Sequence, residues 1–380
     1  MTEDLPSGWT RKPLSEFIVL QRGFDLAKRK RRPGHVKVLS SGDVSGWHDE
    51  ARVSGPGFVV GRATNIGRPT WSDEDYWPLN TVLYAKDFQG NEPKYAYYWF
   101  LANDLTAYNS GSVQAMLNRN YIANVPVDVP PLAEQRAIAA TLGALDDRIE
   151  SCQRVASVAL DLAEAIYLKS CMQGSLDLPL RDAGTWLSGG TPSTSSPDFW
   201  DGELPWISAA SLKDFFIWNS ERRLSAAGVE AATNIVPEGS LLMIVRGMSL
   251  KTEFRFGVAQ RRVAFGQDCK AIIPKIPSSM LALALRASRH DILKLVDEAG
   301  HGTGRLSTDL LTEYEIEVPD DASVTRTLDA LLSRGAVAKA ESHELASLRD
   351  ALLPGLLSGE IRVAEASTEV RSVISRGDTA

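Results

Sequence analysis

Basic side chains occur in clusters along this chain, and such clusters are suited to contacts with phosphate groups. The run KRKRR at 28–32 places five cations in succession, shortly after another arginine. Lys and Arg bound to DNA phosphates supply affinity but carry no sequence information. A solvated loop without a ligand is the alternative interpretation. The cations of this first cluster are Arg22, Lys28, Arg29, Lys30, Arg31 and Arg32.

Two glycine-punctuated stretches combine arginine with small polar residues and are suited to base recognition. The first is GRATNIGRP at 61–69, and the second is VRGMSLKTEFR at 245–255, followed by QRR at 260–262. Arg binds guanine and Asn binds adenine in the major groove, each through two hydrogen bonds. We expect fewer than half of these side chains to touch bases, the others being ordinary surface residues. The candidates are Arg62, Thr64, Asn65, Arg68, Arg246, Ser249, Lys251, Arg255, Arg261 and Arg262.

Catalytic motifs are missing from the sequence. It has no G-x-x-x-x-G-K-[ST] loop for ATP, no G-x-G-x-x-G turn and no Asp/Asn-Pro-Pro-aromatic motif of an adenine methyltransferase. The five histidines are scattered, and Cys152, Cys171 and Cys269 form no CxxC pair, so neither residue type predicts a metal site. We interpret the cysteines as buried thiols. The missing motifs disfavour an enzyme such as a fused methyltransferase-specificity protein.

The distribution of charge, more than its sum, indicates which partners this protein binds. The net charge of −7 argues against a uniformly basic surface. Residues 1–131 are nearly balanced, whereas 132–180 and 320–380 are acidic, which is compatible with DNA on the large segments and proteins on the acidic ones. No apolar run approaches the roughly 18–20 residues of a membrane span, and the N-terminus lacks the features of a signal peptide. We therefore expect a cytoplasmic protein.

Two mixed α/β segments must position the basic loops. Short runs rich in β-branched and aromatic residues, separated by Gly and Pro, predict strands. Helices are predicted at 95–104 and 279–296, where apolar residues recur at helical spacing. The predicted strands are 36–40, 57–61, 80–86, 239–245 and 270–274.

A long amphipathic helix is predicted between these segments, from about 133 to 170. Pro130 and Pro131 favour a helix start, Glu134 suits the positive end of the helix dipole, and Gly174 favours a helix end. The apolar stripe recurs every three or four residues, as on one face of a helix. Its first members are Ile138, Leu142, Leu145, Ile149 and Cys152.

A second long helix is predicted near the C-terminus, with Leu345, Leu348 and Leu352 in its apolar stripe. Pro354 and Gly355 should kink or stop it, because proline cannot continue the helical hydrogen bonds. From about residue 366 the sequence is polar and charged, which predicts a frayed tail.

An internal repeat relates the two halves of the chain. Residues 111–130 align without gaps onto the stretch 189 residues later, where IEVP matches VDVP in pattern. TLGAL at 141–145 matches TLDAL 186 residues later, and the segment 13–24 lies over a stretch 166 residues later. Three matches in the same order predict a globular domain, a helix, a second globular domain and a second helix.

Two such helices can bury their stripes on each other as an antiparallel coiled coil. A helix of about 38 residues spans roughly 57 Å, so this pair would hold two globular heads apart with pseudo-two-fold symmetry. Two different heads could then touch two unrelated DNA sites more than one helical turn, about 34 Å, apart. A coiled-coil scaffold that binds proteins through its heads, without DNA recognition, is the alternative.

Four motifs resemble those of the specificity subunits of type I restriction-modification systems. LAEQRAIAATLGALDDRI at 132–149 resembles the central conserved region of that family, and LRDALLPGLLSGEIRV at 348–363 is similar to its C-terminal signature. GGTPSTSSPDFWDGELPWISAASLKD at 189–214 and LPSGWTRKPLSEF at 5–17 resemble the starts of its second and first recognition domains. The second helix departs from the pattern, because ASVTRTLDALL lacks the Glu-Gln pair of the first.

The resemblance implies a noncatalytic subunit whose two target-recognition domains read the two halves of a split, asymmetric sequence in double-stranded DNA. It also implies helices that recruit two methyltransferase subunits, which use S-adenosylmethionine to methylate adenine N6. A motor-nuclease subunit, using ATP and magnesium, joins for restriction, and the chain itself binds no cofactor. The partner-binding candidates are Glu134 and Gln135 on an outer helix face, and Leu142, Leu145, Ile149, Leu345, Leu348 and Leu352 in the stripes.

The repeat and the resemblance together predict an α+β protein, with two mixed α/β target-recognition domains joined by two long helices in an antiparallel coiled coil. Neither the recognised bases nor the length of the spacer follows from the residues. The predicted segments are 1–131 for the first recognition domain, 132–178 for the central helix, 179–319 for the second recognition domain, 320–365 for the C-terminal helix and 366–380 for a flexible tail.

Overall fold

Helices and strands both contribute to the structure, which is a computed structural model. In the described part of the chain, no helix is both long enough and apolar enough to cross a membrane. The structure describes residues 5–108, 116–231, 234–299 and 302–377. The α-helices are α1 (Leu14–Phe17), α2 (Pro93–Ala102), α3 (Arg119–Ile122), α4 (Leu132–Cys171), α5 (Ala226–Ala231), α6 (Ser278–Ala287), α7 (Arg289–Leu293), α8 (Thr308–Glu313), α9 (Val324–Ser358) and α10 (Val363–Gly377).

The chain folds into two compact units. Unit 1 comprises residues 1–149 together with 344–380, and unit 2 comprises residues 150–343. Each unit therefore contains one mixed α/β segment and one half of each long helix, α4 and α9. The predicted α+β class is confirmed.

The sheets of unit 1 are small, and the four-stranded sheet lies against the buried aromatic residues of α2. A four-stranded antiparallel sheet has the order β2–β8–β5–β6, and a three-stranded sheet has the order β4–β3–β7. Tyr95, Tyr98 and Phe100 of α2 are buried with Phe58 of β5. The strands are β1 (Thr10–Pro13), β2 (Val19–Arg22), β3 (Val36–Leu39), β4 (Val44–His48), β5 (Gly57–Gly61), β6 (Pro69–Ser72), β7 (Tyr76–Pro78), β8 (Val82–Asp87) and β9 (Pro126–Val129).

Unit 2 is built on a five-stranded sheet of order β11–β20–β16–β18–β13. A four-stranded sheet, β14–β12–β19–β15, and a three-stranded sheet, β17–β22–β21, complete it. The central strand β16 is wholly buried, and α6 packs in the same hydrophobic core. The strands are β10 (Ser175–Pro179), β11 (Gly184–Ser188), β12 (Trp200–Ile207), β13 (Phe216–Ile217), β14 (Arg223–Leu224), β15 (Ile235–Val236), β16 (Leu241–Ile244), β17 (Arg246–Gly247), β18 (Phe256–Ala259), β19 (Val263–Phe265), β20 (Cys269–Pro274), β21 (Val296–Ala299), β22 (Thr303–Leu306) and β23 (Glu315–Pro319).

The elements of the two units follow the repeat that the sequence predicts. β9 coincides with the start of β23 at the predicted shift of 189 residues, and both strands lead towards a long helix. β1 pairs with β9 and β10 pairs with β23, each antiparallel, so the first strand of each unit lies beside the strand that precedes a long helix. Residues 111–115 of the first repeat, and 300 and 301 of the second, lie outside the described residues.

The strands and helices predicted before the C-terminal region are confirmed with one exception. The predicted strands correspond to β3, β5, β8, β16 and β20, and α2 and α4 lie within a few residues of their predicted bounds. The single helix predicted at 279–296 was wrong. The chain turns at Ser288 between α6 and α7, and Val296 already begins β21. Apolar spacing continues across the turn, because Ile292 packs into the same core as α6.

The long helices α4 and α9 contact each other within each unit. In unit 1, Arg349 of α9 donates to Asp146 of α4 at 2.8 Å. In unit 2, an added Cβ on Gly335 of α9 would lie 3.4 Å from the carbonyl oxygen of Ala156 of α4. α4 and α9 therefore pack against each other in each unit, as predicted.

Two predictions for the C-terminal region were wrong. Of the kink or stop predicted at Pro354 and Gly355, the stop is wrong, because α9 continues through Pro354 to Ser358 with Leu352, Leu353, Leu356 and Leu357 buried on both sides of the proline. The predicted tail is instead α10 as far as residue 377, after which residues 378–380 lie outside the description.

α10 folds because it has apolar residues on one face and a surface to bury them on. Ala366 and Val370, one helical turn apart, are buried. The hydroxyls of Ser367 and Thr141 of α4 lie 2.7 Å apart and share a hydrogen bond. The polar composition that predicted disorder describes the remaining faces of this helix.

Candidate nucleic-acid interface

A cleft on unit 1 gathers cations from four separate elements. It has a volume of about 770 Å³. Arg22 ends β2, Arg62 follows β5, Lys86 lies near the end of β8 and Arg119 begins α3. The single acidic residue of the lining is Asp25. Sheet pairing therefore brings together charges that are scattered in the sequence.

Arg62 is fixed at the wall of this cleft by its backbone and side chain. Its amide donates to the Ser41 hydroxyl at 3.2 Å, and its Nη1 donates to the Asn80 carbonyl at 3.4 Å. Burial, and then the charge of Arg22, lowers the pKa of the Arg62 guanidinium. Since arginine stays charged in proteins, this mutual repulsion favours a bound anion or a hydrogen-bond acceptor between the two side chains.

The loop after Arg62 presents its polar side chains to solvent from a tight turn. Thr64, Asn65 and Arg68 are exposed. Asn65 adopts a positive φ of 48°, and its carbonyl accepts from the Arg68 amide at 3.0 Å. A Cβ at Gly61 would lie 2.2 Å from that same carbonyl oxygen, so the turn needs glycine there. The backbone bonds hold the turn and leave these side chains available to a ligand.

The KRKRR run divides into engaged and unengaged cations. Arg31 donates to the carbonyl and hydroxyl of Ser45, and Arg32 forms an ion pair with Asp49 at 2.7 Å. The exposed 3₁₀ turn Lys28–Lys30 makes no ion pair within the described part of the chain. Phosphate contact is therefore better suited to Lys28, Arg29 and Lys30 than to the two arginines that follow.

The second predicted loop lies at the equivalent place in unit 2. The Leu117 amide donates to the Arg62 carbonyl at 2.8 Å in unit 1, and the Leu306 amide donates to the Val245 carbonyl at 2.9 Å in unit 2. Val245 is the structural counterpart of Arg62 by this bond, and Arg246 follows it. Both loops thus begin where a central strand of the main sheet ends.

The side chains of the second loop differ in their availability. Arg246 and Lys251 are exposed, whereas Ser249 is half-buried. Arg255 is half-buried and its Nε donates to Glu253 at 2.7 Å. Arg261 and Arg262 are exposed on the turn between β18 and β19. Among these residues, Arg246 has the side chain best placed to meet a ligand directly after the central strand.

Sequence reasoning missed three cations that the fold adds to these surfaces, Lys86, Arg119 and Arg305. Arg305 of β22 lies directly opposite Arg246 of β17 in the antiparallel register. Each of the three stands apart from any basic run in the sequence. Only the pairing of strands, or the packing of α3 beside the cleft, brings them to the surfaces that carry the predicted residues.

Unit 2 also contains a basic pocket, and ion pairs connect its wall to α4. It has a volume of about 290 Å³ and is lined by cations and phenylalanines. Arg286 and Arg289 at its wall both pair with Glu164 of α4. Burial opposes ionisation of Glu164, but the hydrogen bonds from these arginines outweigh it and lower its pKa. The lining cations are Lys213, Arg255, Arg286 and Arg289.

The predicted partner-binding residues lie mainly in the interior of unit 1. Surface exposure of Gln135 was wrongly expected, since this side chain is 2% exposed. Glu134 is half-buried and accepts from the Trp9 indole at 3.1 Å. The stripe residues pack inside the helical core, and only Leu348 among them is half-buried. The buried members are Leu142, Leu145, Ile149, Leu345 and Leu352.

The described residues contain no group of three or more His, Cys, Asp and Glu arranged to hold a metal ion. Cys152, Cys171 and Cys269 are buried, as predicted. Burial raises the pKa of Cys269 to about 12, so this thiol is protonated at neutral pH and is a poor nucleophile.

Comparisons with known proteins agree on one family. Residues 6–158 match the family model described as the type I restriction modification DNA specificity domain. The chain is 24% identical to the EcoR124I/EcoR124II specificity subunit of Escherichia coli over 63% of this chain and 62% of that protein. It is 26% identical to the HindI specificity subunit of Haemophilus influenzae over 48% of this chain and 40% of that protein. The matches thus span less than two thirds of the lengths of these relatives.

A solved structure shows the same fold. The crystal structure of a type I restriction-modification system S subunit from M. genitalium superposes with a TM-score of 0.61 at 17% identity. The superposition covers 94% of this chain and 98% of the other.

Proposed function

We propose that this chain is a specificity subunit of a type I restriction-modification system, as the match of residues 6–158 and the similar specificity subunits support, and that it directs its complex to a bipartite, asymmetric sequence in double-stranded DNA. Specificity subunits are noncatalytic. Each unit reads one half of the sequence, and the bases between the two halves form a nonspecific spacer.

One observation carries this proposal. Both units present an exposed basic loop at the same place in the fold, directly after a central strand. The start of each loop accepts a backbone hydrogen bond from a leucine much later in the chain, Leu117 in unit 1 and Leu306 in unit 2. The frame is shared, but the residues on it differ: Thr64, Asn65 and Arg68 in unit 1, against Arg246 and Lys251 in unit 2. A shared frame with different polar side chains is what two readers of different half-sites require.

The test is the sequence that the complex methylates in a host cell. Arg62→Gln or Asn65→Ala should change only one half of the methylated sequence, and Arg246→Gln or Lys251→Gln only the other half. Lys28→Gln is the matched control, because loss of a phosphate contact weakens binding to all sequences uniformly. A methylated sequence unchanged by all four substitutions would contradict these assignments.

We further propose that two methyltransferase subunits, carrying S-adenosylmethionine, bind the helical parts of the chain, and that a motor-nuclease subunit using ATP and magnesium joins for restriction. Exposed apolar side chains on α4 support a protein partner there. Val158 and Leu162 are 58% and 47% exposed and lie one helical turn apart on one face of α4. Apolar area of this kind on a helix face is typical of a protein interface.

The alternative function is a protein scaffold without DNA recognition. Such a scaffold would use the helices in the same way but would not need the basic loops. A gel-shift of the chain with its methyltransferase subunits, on specific and random duplexes, separates the two. Preference for the specific duplex supports the proposal. A complex that assembles but binds both duplexes weakly and equally would favour the scaffold.

A further inference from the structure

The three-stranded sheet of unit 2 carries a row of charged side chains on one face. Arg246 of β17 is opposite Arg305 of β22, and Arg305 is opposite Asp297 of β21. All three residues are exposed, and none forms an ion pair within the described part of the chain. Directly opposed residues share a face of the sheet, so the row reads arginine, arginine, aspartate.

Two arginines placed opposite each other weaken a strand pair unless something lies against them. Like charges directly opposite are destabilising in antiparallel sheets. Both guanidiniums point away from the core, because Leu306, the next residue of β22, is buried at 2% exposure. The repulsion is relieved when hydrogen-bond acceptors of a ligand approach both arginines.

The opposite face of the sheet is held in place by close packing. Gly304 of β22 is opposite Gly247 of β17. A Cβ on Gly304 would lie 2.8 Å from the Cβ of buried Leu250. The turn that carries Leu250 is thus pressed against β22, and the charged row is fixed outwards.

The shape of this element suits the major groove of DNA. β21 and β22 form an antiparallel pair, and the major groove, about 12 Å wide, admits a two-stranded ribbon. Adjacent strands lie roughly 4.8 Å apart, so neighbouring residues in the row can reach neighbouring polar groups on base edges.

Asp297 indicates whether the row contacts the phosphate backbone of DNA or the edges of its bases. A phosphate would face the negative charge of Asp297 beside Arg305, which opposes a purely phosphate-binding role. A guanine presents O6 and N7 acceptors to an arginine, and its paired cytosine presents an N4 amino donor to a carboxylate. The row therefore matches the major-groove edge of a G·C pair and not the DNA backbone.

Building on the proposed function, we propose that the β17–β22–β21 sheet enters the major groove and that Arg305 and Asp297, with Arg246 beside them, read G·C in the half-site of unit 2. Arg305 binds guanine with two hydrogen bonds, and Asp297 accepts from the cytosine amino group. Arg246 binds a neighbouring acceptor.

The test is selection of bound duplexes from a randomised pool by the full chain assembled with its methyltransferase subunits. Arg305→Gln and Asp297→Asn should each lower the preference for G·C about tenfold at the same position of one half-site. Arg223→Gln, which alters an exposed arginine of β14 in the same unit, is the control and should select the wild-type sequence.

Arg305→Lys separates recognition from charge and from folding. Lysine keeps the positive charge but cannot form the same paired hydrogen bonds, so this variant should lose the G·C preference while its affinity for random duplex stays within about twofold. An unchanged thermal unfolding midpoint is expected for an exposed position.

Two outcomes would overturn the inference while leaving the proposed function intact. One is an unchanged sequence preference in Arg305→Gln and Asp297→Asn. The other is an equal loss of affinity for specific and random duplex in Arg305→Gln, with the salt dependence reduced by about one phosphate contact. A wild-type complex that selects no sequence would instead overturn the proposed function, and the inference with it.

Discussion

At the scale of single residues, the side chain of Gln135 connects the start of α4 to the loop before α2 by hydrogen bonds. Its Oε1 accepts from the Glu92 amide at 2.9 Å, and its Nε2 donates to Asn91 Oδ1 and to the Pro130 carbonyl, both at 2.9 Å. One side-chain amide thus uses its acceptor and both donors inside the protein. This position requires a side chain that both donates and accepts hydrogen bonds. An ionised glutamate can only accept them.

Gln135→Glu should therefore destabilise unit 1 by about 2 kcal/mol or more. The substitution removes two donors, leaves buried acceptors unpaired and places a charge in the interior. Denaturant unfolding monitored by circular dichroism measures the change. Arg136→Gln, at the adjacent exposed position, is the control and should change stability by less than about 0.5 kcal/mol. Equal stability of both variants would show that the three hydrogen bonds contribute nothing.

At the scale of elements, two glycines inside the long helices have opposite surroundings. A Cβ on Gly335 of α9 would lie 2.8 Å from Cζ of Phe216, whose ring is buried. A Cβ on Gly143 of α4 would meet nothing nearer than the Tyr98 hydroxyl at 4.0 Å. Helix propensity favours alanine over glycine at both positions by about 1 kcal/mol. Packing opposes alanine only at Gly335.

Gly143→Ala should stabilise the protein by up to about 1 kcal/mol, whereas Gly335→Ala should destabilise it by about 1–3 kcal/mol because a buried ring must move. Thermal unfolding of the two variants tests this pair, and each serves as the control for the other. The packing argument fails if both substitutions stabilise the protein.

Glu164 joins α4 to α6 and α7 through one carboxylate and two arginines. Glu164 is 13% exposed, and it pairs with Arg286 at 2.7 Å and with Arg289. Asp161, one turn earlier, also pairs with Arg286 but is 63% exposed. An exposed ion pair contributes little to stability, whereas removing one partner of a more buried pair leaves the other unpaired.

Glu164→Gln should destabilise unit 2 by about 1–3 kcal/mol at neutral pH, and Asp161→Asn by less than about 0.5 kcal/mol. Since the pKa of Glu164 is lowered by folding from 4.5, its contribution is fully present above that value and is lost as the pH falls through the folded pKa. The difference between wild type and Glu164→Gln should therefore shrink below about pH 4. Unfolding curves at several pH values measure it, and a difference independent of pH would refute the charge argument.

At the scale of the whole molecule, the two units share one arrangement of strand and basic loop but carry different side chains on it. Each unit should therefore recognise its half of the DNA sequence independently of the other. Arg62 lies in unit 1 and Arg246 in unit 2, and no described residue hydrogen-bonds to both side chains. The double variant Arg62→Gln with Arg246→Gln should change both halves of the selected sequence. Its loss of affinity should equal the sum of the single losses within about 0.5 kcal/mol. A measured coupling well above that value would mean that one unit alters recognition by the other.

Local patterns in the sequence were sufficient for the elements and for part of the candidate site. The stripe of α4 and the strands β5 and β20 were predictable, because helical and strand periodicities are properties of neighbouring residues. Arg62 and Arg246 were predictable because each stands in a glycine-punctuated loop directly after a strand. The family motifs pointed to DNA recognition for the same reason, since each motif is contiguous.

Only the tertiary structure decided which side chains those elements bring together. Gln135 looks like a surface residue beside Glu134, yet it is buried because distant backbone groups surround it. Arg305 joins Arg246 through strand register, and a pairing of residues 59 positions apart is not encoded locally in the sequence. α10 is helical because α4 offers it a surface, whereas its own composition favours a tail. The sequence by itself determined the elements and the loops, and long-range pairing determined the surfaces, because packing depends on partners that are far away along the chain.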